Sequence, residues 1–408
     1  MKILVLTNLF PPHYLGGYEL ICEAVTSALR IRGHEVSVLT SDHVRAGVLN
    51  NPENKVERSL RIHGLYGHPW LGIGSLWQLE CHNNKTLREA IARAKPDLVY
   101  VWNMGGLSKS MVFALERLGI PVAFYLSDHW IARGSEADVW SQWWNRGNPS
   151  IAHRVLRGLL SISGLRACAS RIAATQLLRE FPFRCIYFCS GALRDLTVSA
   201  GYDVAHGSVI YCPVNIERFH GVARQAAEPI RRFLWVGRLA PDKGIMTALR
   251  ALKCLGSNFK AVLDVYGAGE PEYVSELTHF VSDHQLPVEF HSAPAREMPN
   301  VYRSHDALLF TSEWAEPFAL TPLEAMATGL PVVGTTTGGS REIFRHGENA
   351  LTYTAGNAEE LAARILQLST EPALREHIAV AGQAEVRAKY SECIIVDQIE
   401  RFLIETIR

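Results

Sequence analysis

The sequence predicts an α/β protein of two domains, each a doubly wound parallel sheet with helices on both faces. Three observations carry this expectation. Short apolar runs alternate with segments of helical periodicity, the alternation lapses at 211–229 and then restarts, and 408 residues exceed one comfortable core but suit two ordinary domains.

The elements follow in order. KILVLTN (2–8) reads as a buried strand; Pro11 and Pro12 follow it without a small-residue cleavage site, so it is not taken as a signal peptide. From Glu19, apolar residues recur at Leu20, Ile21, Ala24, Val25, Ala28 and Leu29, one face of a helix that Gly33 closes. HEVSVLTS (34–41) is the next strand, and DLVYVWN (97–103) and PVAFYLS (121–127) flank a helical pattern at 107–118. The segment 211–229 has no period. A second strand–helix series then runs from RRFLWVGR (231–238) through KAVLDVYG, VEFHS, DALLFTS, PVVGT and ALTYT. This places the boundary near 212–228, with domains at 1–212 and 213–390 and a final helix within 391–408 that is expected to pack back on the first domain. Residues 44–95 and 128–184 fit the scheme poorly. The second segment holds Trp130, Trp140, Trp143 and Trp144, which read as core or lid packing, or as an aromatic surface on which an acceptor sugar stacks.

Acidic and basic residues balance at 41 each, so no global field favours nucleic acid or an anionic membrane; a local basic patch and peripheral membrane contact stay open. No apolar stretch approaches the roughly 20 residues that span a bilayer. The eight cysteines are scattered without a CxxC, which suits reduced thiols and a cytoplasmic setting.

The densest motif is ALLFTSEWAEPFALTPLEAMATGLPVVGTTTGGSRE (307–342). A buried strand ends at Ser312, a loop carries Glu316, and Thr321-Pro322-Leu323-Glu324 opens a helix; such a loop lies where open α/β sheets bind ligands. The amides at the helix start suit a phosphate. Glu324 has two readings, a capping-box partner of Thr321 or a ligand group. Glu316, ahead of a proline with no helix to cap, is a solvated loop charge or a ligand group. In WVGRLAPDKGI (235–245), Arg238 leaves a strand and Lys243 falls in the first turn of the next helix, where a cation opposes the dipole unless an anion is near. Gly267 and Gly269 form a strand-to-helix turn without the third glycine of a dinucleotide fingerprint. Gly16 and Gly17 open the first helix, either as a flexible turn or as amides that approach an anion. Asp128 and His129 end a strand, on the side where ligands gather or in a satisfied structural role.

Glu316 and Glu324 spaced E-x7-E, then EAMATGLPVV, Gly338-Gly339 and Glu342, resemble the donor-site signature of retaining glycosyltransferase family 4, the "glycosyl transferases group 1". That resemblance implies the GT-B fold, two Rossmann-like domains facing across a cleft, and transfer from a nucleoside-diphosphate sugar to the hydroxyl of a carbohydrate, lipid-linked or small-molecule acceptor. It assigns Glu316 with Phe318, Ala319, Leu320 and Thr321 to the donor sugar, Glu324 to the ribose, Arg238 and Lys243 to the diphosphate, and Gly267 with residues 291–297 to the vicinity of the base. Gly16 and Gly17 would touch donor phosphate or acceptor. His129, and with it Asp128, would line the reaction centre, positioning sugar or acceptor while the leaving phosphate takes the acceptor's proton. No cofactor is implied and no metal is expected, since two cations can hold the diphosphate and the chain has no D-x-D pair. Two departures stand out: Ala319 follows Phe318 where the family carries Gly, and Pro213 and Asn215 replace a Gly and an Asp before the linker. A nucleotide-sugar epimerase and a non-catalytic sugar-nucleotide-binding subunit are the competing readings. Donor base, sugar, acceptor and oligomeric state are not written in the motifs.

Overall fold

The computed structural model describes residues 1–45, 47–48, 55–64, 72–132, 138–145, 147, 150–223, 229–256 and 259–408. Parts of the two segments that fit the pattern poorly, and residues 224–228 of the expected divider, lie outside the described residues. The chain forms two compact units, Met1–Ile210 with Val396–Arg408, and Tyr211–Ile395.

The first unit carries β1 (Lys2–Leu6), β2 (Glu35–Ser41), β3 (Val56–Leu60), β4 (Leu98–Val101), β5 (Val122–Leu126), β6 (Ile186–Phe188) and β7 (Ser208–Val209). They pair in the order β3-β2-β1-β4-β5-β6-β7, all parallel. Its helices are α1 (Gly17–Ile31), α2 (Ile73–Ala94), α3 (Ser110–Arg117), α4 (Val139–Asn145), α5 (Ile151–Ile162), α6 (Leu165–Ile172) and α7 (Gly191–Ser199). β1 and β4 are apolar almost throughout because helices cover both faces of a parallel sheet. The edge strand β3, VERSL, alternates with charge because one side of it has no neighbour strand, and β6 is three residues long; neither carried a readable period. In α1 the buried side chains Ile21, Val25 and Leu29 form the expected stripe, and Gly33 (φ +88°) ends the helix.

The second unit carries β8 (Arg232–Val236), β9 (Val262–Tyr266), β10 (Val288–His291), β11 (Ala307–Phe310), β12 (Val332–Thr335) and β13 (Leu351–Tyr353), in the order β10-β9-β8-β11-β12-β13, again all parallel. The helices are α8 (Ile245–Leu255), α9 (Pro271–Asp283), α10 (Met298–Arg303), α11 (Leu320–Ala327), α12 (Ala358–Thr370), α13 (Pro372–Glu385) and α14 (Glu392–Ile407). Phe233, Leu249, Leu263, Leu309, Val333 and Ile365 belong to one core between the sheet and α8 and α12. From Val396 onward α14 belongs to the first unit: Phe402 meets the Tyr187 ring edge-on at 5.0 Å, and Arg32 Nη1 donates to Glu400 at 2.7 Å.

Each sheet reverses its strand order once, between β1 and β4 in the first unit and between β8 and β11 in the second. In open α/β sheets the carboxyl ends of such strand pairs are the ligand positions.

Candidate functional site

In the second unit the loops after β8 and β11 bring Lys243 and Glu316 together. Lys243 Nζ pairs with Glu316 Oε1, with only 22% and 10% of the two side chains exposed, and the ammonium lies 5.3 Å from the Trp314 ring centre. Ser312 Oγ donates to the same glutamate oxygen at 2.7 Å. The Lys243 backbone is pinned by Thr311, whose hydroxyl donates to the Lys243 carbonyl at 2.8 Å and accepts from Trp235 Nε1 at 2.8 Å. Lys243 is not in the first turn of the helix, as the spacing predicted. It ends a 3-10 turn, Pro241–Lys243, and Gly244 (φ +65°) separates that turn from α8, so the cation meets a carboxylate instead of opposing the helix dipole. Arg238, mostly exposed, bonds Asp242 at 3.0 Å within the same loop.

The Glu316 loop rests on the glycine pair that follows β12. The Gly339 amide donates to the Glu316 carbonyl at 2.7 Å. Gly338 has φ +55°, and a Cβ there would lie 2.3 Å from the Glu316 carbonyl oxygen.

The capping box is not formed. α11 starts at Leu320, with Ala319 as an N-cap that makes no side-chain bond, so Pro322 occupies the position a capping glutamate needs and Glu324 lies two residues beyond it. The first turn of α11 keeps backbone amides uncapped by any side chain, the condition that suits an anion. Glu324 instead accepts from Tyr302 Oη at 2.8 Å, and burial raises its pKa to about 7 against the Tyr302 bond and the charge of Arg218. Phe318 stacks on Tyr211, with centroids 5.2 Å apart, and also packs on Tyr390, so its ring serves the unit's own aromatic cluster. Ala319 is buried, while Leu320 and Thr321 are half-buried.

Gly267 and Gly269 have a structural task. A Cβ on Gly267 would lie 2.0 Å from the Gly237 carbonyl oxygen, and Leu239 bridges Gly269, so the turn after β9 supports the loop that carries Arg238. Asp264, Glu289 and His291 are close enough to share a metal ion. Arg232 already bonds Asp264 at 2.5 and 2.6 Å and Glu289 at 2.9 Å, so both carboxylates are answered by a cation of the chain itself.

In the first unit, polar groups gather at the carboxyl ends of β1, β4 and β5. Asn103 Nδ2 donates to Asp128 Oδ2 at 2.7 Å, and the Trp130 amide donates to Oδ1 at 2.9 Å. Burial raises the Asp128 pKa to about 6, opposed by the Trp130 amide, the charge of Lys109 and Asn103. His129 is buried beside it. Gly16 is the N-cap of α1 and Gly17 its first residue. The Gly16 amide donates to Glu19 Oε2 at 3.0 Å, so a carboxylate of this chain already occupies part of the anion position read from the glycine pair. Burial raises the Glu19 pKa, as it does that of Tyr18, whose hydroxyl bonds the Tyr125 carbonyl at 3.1 Å.

Ser312, Thr311, Tyr302 and Asn103 hold these groups and were not singled out in the sequence. Ser312, four residues before Glu316 at a strand end, carried a usable signal; Tyr302 and Asn103 reach their carboxylates across 22 and 25 residues and carried none.

Residues 15–218 match the family described as Glycosyltransferase Family 4, and residues 223–385 match Glycosyl transferases group 1. An uncharacterised glycosyltransferase of Methanocaldococcus jannaschii is 29% identical over 96% of this chain and 95% of its own length. The glycogen synthase of Mycobacterium tuberculosis is 23% identical over 96% and 91%. Among solved structures, Anabaena HepE in complex with UDP-glucose superposes with a TM-score of 0.68 at 21% identity, covering 99% of this chain and all of that one. Sucrose-phosphate synthase from Thermosynechococcus elongatus gives 0.70 at 17% identity, covering 99% of each chain. These two likenesses establish the fold, GT-B.

Proposed function

The chain belongs to the group 1 glycosyltransferases, with a family 4 first half, and from that premise we propose that it moves a hexose from a nucleoside diphosphate to an acceptor hydroxyl with retention at the anomeric carbon. The observation that carries the reading is the Lys243–Glu316 pair at the β8/β11 reversal, in the unit whose α11 begins with uncapped amides. A half-buried ammonium and helix-start amides suit a diphosphate, and a carboxylate held by Ser312 suits the hydroxyls of the sugar. Lys243 and Arg238 would take the diphosphate, Glu316 the sugar, and the second oxygen of Glu324 the ribose. Asp128 and His129 would position the acceptor.

In the transfer, the acceptor oxygen bonds the anomeric carbon as the bond to the diphosphate breaks, and the departing phosphate oxygen takes the acceptor's proton. Loop cations suffice to stabilise that leaving group, so the reaction is proposed to run without metal. Anabaena HepE was solved with UDP-glucose, which supports a UDP-hexose as the first donor to test. The eight scattered cysteines, none of them joined in a disulfide, support work in a reducing, cytoplasmic setting.

Thermal-shift measurements with UDP, GDP and ADP sugars in chelator should give a stabilising shift for one of them, and Lys243→Ala should lose it. A variant that responds like the parent ends the diphosphate assignment. With an α-linked donor, proton NMR of the product should show the α anomer; a β product removes retention, and an altered sugar without an acceptor bond points to epimerisation.

A further inference from the structure

The hairpin of α5 and α6 in the first unit turns a long apolar stripe outward. On α5, Ile151, Val155, Leu159 and Ile162 follow one another on one face and are 78, 57, 61 and 89% exposed. No residue of α5 or α6 is buried. The face turned to the protein is mixed: Leu160 and Ala169 pack on the cluster of Trp140, Trp143 and Trp144, and polar groups bond beside them. His153 Nε2 bonds the Trp143 carbonyl at 2.7 Å, Arg157 Nη1 donates to the Trp144 carbonyl at 3.0 Å, and Arg166 donates to Asn145 Oδ1 at 3.1 Å while lying over the Trp144 ring. A helix whose outer face met only water would carry polar groups there in place of this stripe. Beside the stripe, an apolar groove of about 310 Å³ is lined by Trp77, Trp140, Trp144, Leu160, Leu165 and Ile172.

Charge identifies what this surface meets. The chain is balanced at 41 acidic and 41 basic residues, yet residues 139–179 contain no Asp or Glu and six arginines. Arg154 and Arg171 are exposed on the hairpin. Arg88 and Arg117 converge on the end of α6, donating to the carbonyls of Ile172 at 3.2 Å and Ser170 at 2.6 Å. A second copy of the chain docking by two-fold symmetry would set these arginines against themselves. An anionic bilayer answers both features, with headgroups for the arginines and acyl chains for the apolar stripe.

We propose that the α5–α6 hairpin seats the first unit on the surface of an anionic lipid bilayer, with the Ile151–Ile162 face entering the acyl boundary. Among the described residues no helix is long and apolar enough to cross a membrane, and the seating is interfacial. It does not rest on the glycosyl-transfer reading; joined to that reading, it selects an acceptor held in the membrane.

Flotation of the full chain with phosphatidylcholine vesicles containing about 30% phosphatidylglycerol tests the proposal. The parent should float with them, about tenfold less with phosphatidylcholine alone, and should be released by about 0.5 M salt. The double variant Leu159→Ser/Ile162→Ser should lose flotation at least about tenfold. Both side chains are exposed, so its unfolding temperature and its response to sugar nucleotides should match the parent's. A parent that stays in solution with anionic vesicles, or a folded double variant that floats as well as the parent, overturns the proposal. So does a parent dimer that the double variant converts to monomer, because a second copy then covers the face.

Discussion

Glu316 is a buried carboxylate that its neighbours make tolerable: Ser312 donates to it and Lys243 answers its charge. Glu316→Gln keeps an acceptor for Ser312 but removes the charge from Lys243. We expect a drop of about 100-fold in kcat/KM with a small change in unfolding temperature, measured by initial rates and thermal unfolding of the same preparation. Glu324 is the opposite case, since burial outweighs the Tyr302 bond and the charge of Arg218 and its pKa rises from 4.5 to about 7. A carboxyl whose folded pKa is raised lends its full stability below the unfolded value, and that contribution is lost as pH climbs through the folded one. Glu324→Gln, which can still accept from Tyr302, should therefore be more stable than the parent at pH 8 by up to about 3 kcal/mol, with the gain gone by about pH 4. Denaturant melts across that window decide it, and a constant difference at all pH values would refute it.

At the scale of elements, the glycine pair after β12 does more than turn the chain. Gly338 combines φ +55° with a Cβ position 2.3 Å from the Glu316 carbonyl, so Gly338→Ala strains its own backbone and displaces the loop that carries the carboxylate. We expect a loss of about 1–3 kcal/mol in stability, and in the folded fraction a fall in activity larger than Gly339→Ala causes, because Gly339 acts through its amide, which alanine retains. Paired activity and unfolding measurements check this. The same element shows how far the sequence could be read. Strand β11, the loop and α11 were legible from the apolar run and the Pro-Leu-Glu start, yet the helix began two residues early and Pro322 fell where the capping glutamate was expected. Position Lys243 missed its helix for a similar reason, since a 3-10 turn closed by Gly244 looks in sequence like a first helical turn. Edge strand β3 was hidden because half-exposed VERSL has no apolar run, and the outward stripe of α5 was hidden because it has the ordinary helical period and only burial tells which way it faces.

At the scale of the whole chain, the two βα series announced two units, and the lapse between them marked where one sheet stops and the next begins. The period of the last helix was equally plain, but period cannot say which unit receives it. The structure gives Val396–Arg408 to the first unit through Val396, Ile399 and Leu403, each at most 2% exposed, and through Phe402 on Tyr187. The ion pairs of Glu400 and Asp397 with Arg32 sit at a half-exposed margin, where such pairs contribute little, so the apolar side chains hold the helix. Arg32 and His34 keep the Glu400 pKa below its usual value, so its contribution is present above pH 4.5 and fades as pH falls through the folded value. Two variants separate the contributions. Glu400→Gln should cost about 1 kcal/mol or less near neutral pH and nothing at strongly acid pH. Ending the chain at Ile395 strips three buried aliphatic side chains and the Phe402 ring from the first unit, each substitution of that kind being worth about 2–5 kcal/mol, enough to unfold a domain of ordinary stability. Since Tyr211–Ile395 has its own core, the truncated chain should show the first unit melting early while the second keeps its transition and its sugar-nucleotide shift. Calorimetry with and without the nucleotide reads both events, and a single unchanged transition would mean that the helix is not part of the first unit's fold.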